Sequence, residues 1–169
     1  MADSAAVPDK TGTSANRDRH QQRIYEITDI VQSSAKTCRL MTADKSAQGI
    51  QGLDYAVGIS AERVGATGLH MHIVTIPPGA RAKAHLHAGH ETAIYALSGV
   101  SGCWYGDALE DHAVVGAGDF FYIPAGVAHL PYNPSETEPF VAVIARTDPN
   151  EQESVVLRPD LESVHPANG

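Results

Sequence analysis

Gly79-Ala-Arg-Ala-Lys-Ala-His85-Leu-His87-Ala-Gly-His90-Glu91 follows two prolines, Pro77 and Pro78, and reads as extended chain leaving a tight turn. Side chains two apart on a strand point to the same face, so His85 and His87 present their imidazoles together. Such nitrogens suit zinc, iron, nickel, copper or manganese, and Glu91, close behind, offers a hard oxygen. A second stretch, Gly118-Asp-Phe-Phe-Tyr-Ile-Pro124-Ala-Gly126-Val-Ala-His129-Leu-Pro-Tyr-Asn133, has the pattern strand, tight turn, strand, with His129 just past the turn.

Outward from these two stretches, short runs rich in Val, Ile and Tyr recur over residues 23–31, 53–60, 69–76, 92–106, 112–124 and 140–146. Further strands are expected at Cys38 to Thr42 and Ser154 to Leu157. Glycines and prolines separate the runs, and Gly99-Val-Ser-Gly102 reads as a hairpin. The count and spacing predict an all-β sandwich or barrel with at most short helices, a closed sheet being the way to remove exposed edges. Residues 1–22 are too polar to bury enough apolar area to offset their ordering entropy and are expected as a disordered N-terminal tail. Residues 23–158 are expected to form one folded domain with its dense core over 69–146, and residues 159–169 are expected as a C-terminal tail. The strands before the dense core, Arg23 to Val31 and Cys38 to Thr42, are expected to pack across a partner subunit, which makes the assembly a homodimer.

At 169 residues and 43% apolar content the chain is long enough to bury a core without disulfides. Cys38 and Cys103 lack the paired spacing of a metal knuckle or redox motif and are read as reduced thiols. A net charge of -8 repels phosphate backbones and anionic lipid, so nucleic acid and membrane are excluded as partners and a small molecule is expected. The opening residues lack the apolar core of a secretion signal, and the cytoplasm is the expected location. Neither a Gly-x-Ser-x-Gly elbow nor a phosphate-cradling or dinucleotide fingerprint occurs.

Both stretches together resemble the cupin superfamily. The second cupin motif is met by Gly118, Pro124, Gly126, His129 and Asn133, and the first by Gly79, His85, His87 and Glu91. The first departs at its end: seven residues separate Glu91 from Gly99 where the motif has six, so Thr92 falls where the second spacing puts the acid. One residue reverses the face of a strand. The resemblance implies a jelly-roll (double-stranded β-helix) barrel holding one divalent transition-metal ion (Fe, Mn, Ni, Cu or Zn) on His85, His87, Glu91 and His129. A bulge would absorb the extra residue, and His90 competes with Glu91 as ligand. His70 and His72 share a strand face and are read as pocket candidates, whereas His20, His112 and His165 are read as structural or exposed. Asn133 and the motif glycines are assigned to turn geometry, and Tyr95 or Tyr122 is a candidate hydroxyl for a bound substrate.

The resemblance further implies a metal-dependent enzyme acting on a small oxygen-bearing organic substrate, with Glu91 ligating or serving as general base. Dioxygenation is the leading chemistry. Non-redox chemistry, as a sugar isomerase, cyclase or lyase, and small-ligand binding without turnover are the alternatives, because the fold hosts all of them.

Overall fold

A computed structural model describes residues 37–43, 47–151 and 154–165, with 47 and 48 described in backbone only. The chain divides into two compact units, residues 1–38 and 39–169, and the architecture is that of the second. Its elements are β1 (Ala47–Gln48), β2 (Asp54–Ile59), α1 (Ala61–Val64), β3 (His70–Ile76), β4 (His85–His87), β5 (Thr92–Ser98), β6 (Val100–Tyr105), β7 (Asp111–Gly116), β8 (Phe120–Ile123), β9 (His129–Tyr132), β10 (Phe140–Arg146) and β11 (Val155–Leu157), followed by a 3-10 turn at Pro159–Leu161.

All strand pairing is antiparallel, in a six-stranded sheet ordered β1-β2-β3-β10-β5-β8 and a five-stranded sheet ordered β11-β4-β9-β6-β7. Strands adjacent in sequence fall in different sheets at several points, as in a jelly roll, so the two sheets face each other across one interior. Strict alternation creates that interior. Along β3 the residues His70, His72, Val74 and Ile76 are buried, and along β10 Phe140, Ala142, Ile144 and Arg146. Leu53, Tyr55, Val74, Ile76, Val115, Phe140 and Ile144 form the main apolar cluster, each large side chain contributing about 1.5–3 kcal/mol on burial.

The all-β expectation with at most short helices agrees with this architecture, but several local expectations do not. Gly99 is not a hairpin: β5 and β6 lie in different sheets, and the chain crosses between them there. Gly99 has φ 75°, and a Cβ on it would come within 2.4 Å of the Pro139 carbonyl oxygen, so glycine alone lets the crossing pass this closely. Residues Cys38 to Thr42 form no strand. Arg23 to Val31 and His20 lie outside the described residues.

Residues 159–165, expected as tail, are docked. Leu161 is buried with Ala84, Leu109, Ala128 and Leu130, against Trp104. Arg81 donates to the His165 carbonyl at 2.6 Å and to Glu162 Oε2 at 2.7 Å, while Glu162 Oε1 accepts from the Ala84 N–H at 2.6 Å. The His165 ring stacks on Trp104 at 3.7 Å. One leucine and one carboxylate among polar residues carry this docking, too sparse a pattern for periodicity to reveal.

Candidate metal centre

His85 and His87 occupy the two ends of the three-residue β4, separated by Leu86. β4 pairs with β9 so that His85 lies directly opposite His129, and cross-strand neighbours on one face bring their side chains into contact. Ring centroids are 4.2 Å apart for His85 and His129, 5.1 Å for His87 and His129, and 5.1 Å for His85 and His87. One ligand nitrogen from each lies within 4.8 Å of the other two, and all three residues are buried. Gly126, in the turn between β8 and β9, donates its N–H to the His87 carbonyl at 2.8 Å, tying the turn that delivers His129 to the strand end that carries His87.

Two of these imidazoles are oriented by the main chain. His85 Nδ1 donates to the Lys83 carbonyl at 2.7 Å and His129 Nδ1 to the Val127 carbonyl at 3.0 Å. A carbonyl only accepts, so the proton sits on Nδ1 and the Nε2 lone pair is left for a cation, the arrangement that orients metal-binding histidines. Burial is the main reason their pKa values fall, to about 3 for His85, about 2 for His87 and about 4 for His129, with the neighbouring imidazoles adding repulsion. All three are neutral near pH 7 and need shed no proton to bind a metal. Three converging neutral nitrogens in an enclosed space fit a divalent transition metal.

The remaining expected residues are placed differently. Glu91 is not among the converging groups: it is exposed and accepts a hydrogen bond from the Tyr122 hydroxyl at 2.8 Å. The cause is strand parity. Thr92 opens β5 on the inner face, so Glu91 before it is turned outward. Tyr95 and Tyr122 are on the outer face as well, away from any interior ligand. His90 is buried with its ring 4.5 Å from His87; its Nδ1 is 3.2 Å from Ser154 Oγ and 3.9 Å from Asp148 Oδ2. It borders the triad without joining it.

His70 and His72 form a separate pair, with Nδ1 atoms 3.2 Å apart. Burial first, then the Arg146 charge, lowers His70 to about 4; burial, then His70, lowers His72 to about 3. His112 contacts Trp104 and the Tyr132 hydroxyl, and His165 donates through Nε2 to the Leu109 carbonyl. Both are structural. Asn133 clamps a turn, donating to the carbonyls of Ile76 and Glu138 and accepting from the Ser135 N–H. Cys103 is a free thiol whose pKa burial pushes up to about 12, so it is inert as a nucleophile.

The triad opens into a cavity of about 80 Å³ between the sheets. Aliphatic and aromatic side chains, Val74, Ile76, Ile94, Phe121 and Ile144 among them, make up much of its wall, and Gln51, His72, His90, Thr92, Ser101 and Arg146 supply further polar groups. Arg146 and Gln51 are the residues that sequence reading passed over. Arg146 had a signal: in Phe140-Val-Ala-Val-Ile-Ala-Arg146 it keeps the inward phase of Phe140, Ala142 and Ile144.

The family described as Cupin domain matches residues 72–145. Among solved structures the chain is similar to an oxalate decarboxylase from Lactobacillus farciminis in complex with formate, at 21% identity over 72% of this chain and 36% of that one, with a TM-score of 0.57. It thus spans about a third of that protein's length. A recombinant oxalate oxidase in complex with glycolate is similar at 20% identity over 76% of this chain and 67% of that one, TM-score 0.58. An uncharacterized conserved protein with a double-stranded beta-helix domain from Klebsiella pneumoniae is similar at 18% identity over 72% of this chain and 97% of that one, TM-score 0.55. These likenesses establish the fold. No curated protein matches the chain in sequence.

Proposed function

The chain is a cupin-domain protein, and from that premise we propose a metal-dependent enzyme that holds one divalent transition-metal ion on His85, His87 and His129 and acts on a small oxygen-bearing organic substrate. The observation that carries this reading is the convergence of three buried imidazoles, each offering a nitrogen within 4.8 Å of the others. Bound there, the ion would supply Lewis acidity and, where redox-active, one-electron chemistry toward dioxygen. The chain's own residues supply the setting. His85 and His129 stay oriented by their carbonyl acceptors, and the apolar walls exclude bulk water, which strengthens every charge interaction inside. Dioxygenation remains the leading chemistry, because three neutral donors leave much of an ion's coordination to other ligands.

Elemental analysis of protein purified without added metal tests the site. We expect close to one transition-metal ion per chain, lost in both His85→Ala and His129→Ala; unchanged content in both variants would remove the site. Oxygen uptake by iron-, nickel-, copper- or manganese-loaded protein on a panel of enolisable carbonyls and catechols tests the chemistry. Turnover with zinc in the absence of oxygen would replace dioxygenation by isomerase, cyclase or lyase chemistry. We also read the assembly as a homodimer, supported by an apolar outer sheet face.

A further inference from the structure

Strand register sorts the inward residues of the six-stranded sheet into levels along the barrel. At one end Arg146 is paired with His70 and Thr92; one level on, Ile144 with His72 and Ile94; next, Ala142 with Val74 and Ala96; and at the far end Phe140 with Ile76. Every hydrogen-bonding side chain of this series is in the first two levels, and the rest is hydrocarbon. The three-histidine cluster belongs to the polar end, since His87 and its neighbour His90 both feel the Arg146 charge. From His129 there, β9 leads to Asn133, whose side chain donates to the Ile76 carbonyl at 3.0 Å. Extended chain between those two residues covers about 13 Å, so the metal end and the hydrocarbon end of the interior are well separated.

The fixed charge of the polar end is already answered. Arg146 donates from Nε to the Asp148 carbonyl at 3.3 Å and from Nη2 to the Asn150 and Glu151 carbonyls, and it and the Asp148 carboxylate attract each other. Toward the other end Leu53, Val74, Ile76, Val115 and Phe140 line the space. Ser101, paired with Val115, donates its hydroxyl proton to the Tyr132 carbonyl at 2.9 Å. Gln51 also lines the cavity, but its Oε1 is set against Gly49, where a Cβ would come within 2.8 Å of it. Hydroxyl groups of a ligand placed here would be buried unpaired, which is costly, whereas hydrocarbon gains from the same burial. The cavity of about 80 Å³ is near half the about 150 Å³ that takes a benzene ring, space for about three carbons.

We infer that the cavity selects short aliphatic substrates whose oxygens are confined to one end: the oxygenated head faces the three-histidine cluster, and a hydrocarbon tail of about three carbons is seated among Val74, Ile76, Val115 and Phe140. A sugar, with an oxygen on nearly every carbon, suits the metal end and is refused by the other. This rests on the metal reading above, and the experiment separates the two.

Zinc-loaded protein is titrated calorimetrically with hydroxamic acids, whose metal-binding head stays constant while the tail varies. We expect butanohydroxamate to bind about tenfold more tightly than acetohydroxamate, each of the two added methylenes contributing about three- to fourfold on burial. 3-Hydroxypropanohydroxamate, with a hydroxyl in place of the terminal methyl, should bind about tenfold more weakly than butanohydroxamate. Val74→Phe fills the place of the tail and should bring butanohydroxamate down to the affinity of acetohydroxamate, its folding being checked by circular dichroism. Val74→Thr, close to isosteric, should reduce the preference for methyl over hydroxyl several-fold. Bound zinc with equal affinity for the three probes, a hydroxyl tail held as tightly as a methyl one, or a tail preference untouched by both Val74 variants overturns this inference and leaves the metal site standing. Failure of zinc to bind the parent protein overturns both.

Discussion

Glu91 and Thr92 are neighbours in the chain, yet one meets solvent and the other meets the cavity. A side chain on a strand has two directions and no intermediate, so a carboxylate one position out of phase is removed from the interior altogether. Glu91→Gln should therefore leave metal content unchanged and shift the melting midpoint by no more than about 2 °C, as for surface substitutions generally; collapse of metal content in that variant would put Glu91 back at the ion. The three histidines were legible because His-x-His spacing and a histidine after a Pro-x-Gly turn are local patterns. The fourth position was not, since spacing alone left two parities open and only the start of β5 chooses between them. His72 carries a second prediction. Its pKa is lowered to about 3, first by burial, so between that value and the ordinary 6.5 the unfolded chain binds a proton that the folded chain refuses. Stability is then full above pH 6.5 and falls as pH drops through that value toward 3. From pH 7.5 to pH 5 His72 alone costs about 2 kcal/mol. Urea unfolding of metal-free protein at the two pH values should show at least that loss, and His72→Phe should flatten part of the dependence.

The elements that build the site are short, and what precedes and follows them does much of the positioning. β4 has three residues and β9 four, so neither could place an imidazole by its own ladder alone. The turn at 124–127 joins them through the Gly126 N–H on the His87 carbonyl, with Gly126 at φ 81°. A Cβ there would meet nothing within 4 Å, so the cost of Gly126→Ala is conformational, about 1–2 kcal/mol. Denaturant unfolding should report that loss, and metal affinity should fall with it because His87 and His129 share the anchor; an unchanged unfolding midpoint would mean that the turn relaxes freely. Strands and turns were readable from alternation and from Pro and Gly. Which strands pair was not, because pairing depends on partners far off in sequence: the run over residues 92–106 looks like one hairpin, yet its halves belong to opposite sheets. The docking of residues 159–165 was equally hidden, since one buried leucine and an Arg81 to Glu162 ion pair have no periodicity.

An antiparallel sheet with one face in water alternates apolar and polar residues, and the six-stranded sheet does not. On β5 and β8 the outward phase includes Tyr95 at 38% exposure, Leu97 at 47%, Phe120 at 81% and Tyr122 at 56%. On β3 and β10, at the middle of the sheet, Met71, Ile73, Val141 and Val143 continue the same outward phase half-buried. A contiguous apolar face of this kind marks an interaction surface, and a second copy of the chain can meet it through a two-fold axis without any new complementary surface. We expect light scattering at tens of micromolar to give twice the monomer mass. Phe120→Glu combined with Leu97→Lys should return the protein to a monomer, because two buried charges would have to be desolvated for the faces to close. Both positions point away from the cavity, so the double variant should keep its metal; a dimer that survives both charges would show that the copies meet elsewhere, and a monomeric parent protein would show that this face is not used between copies.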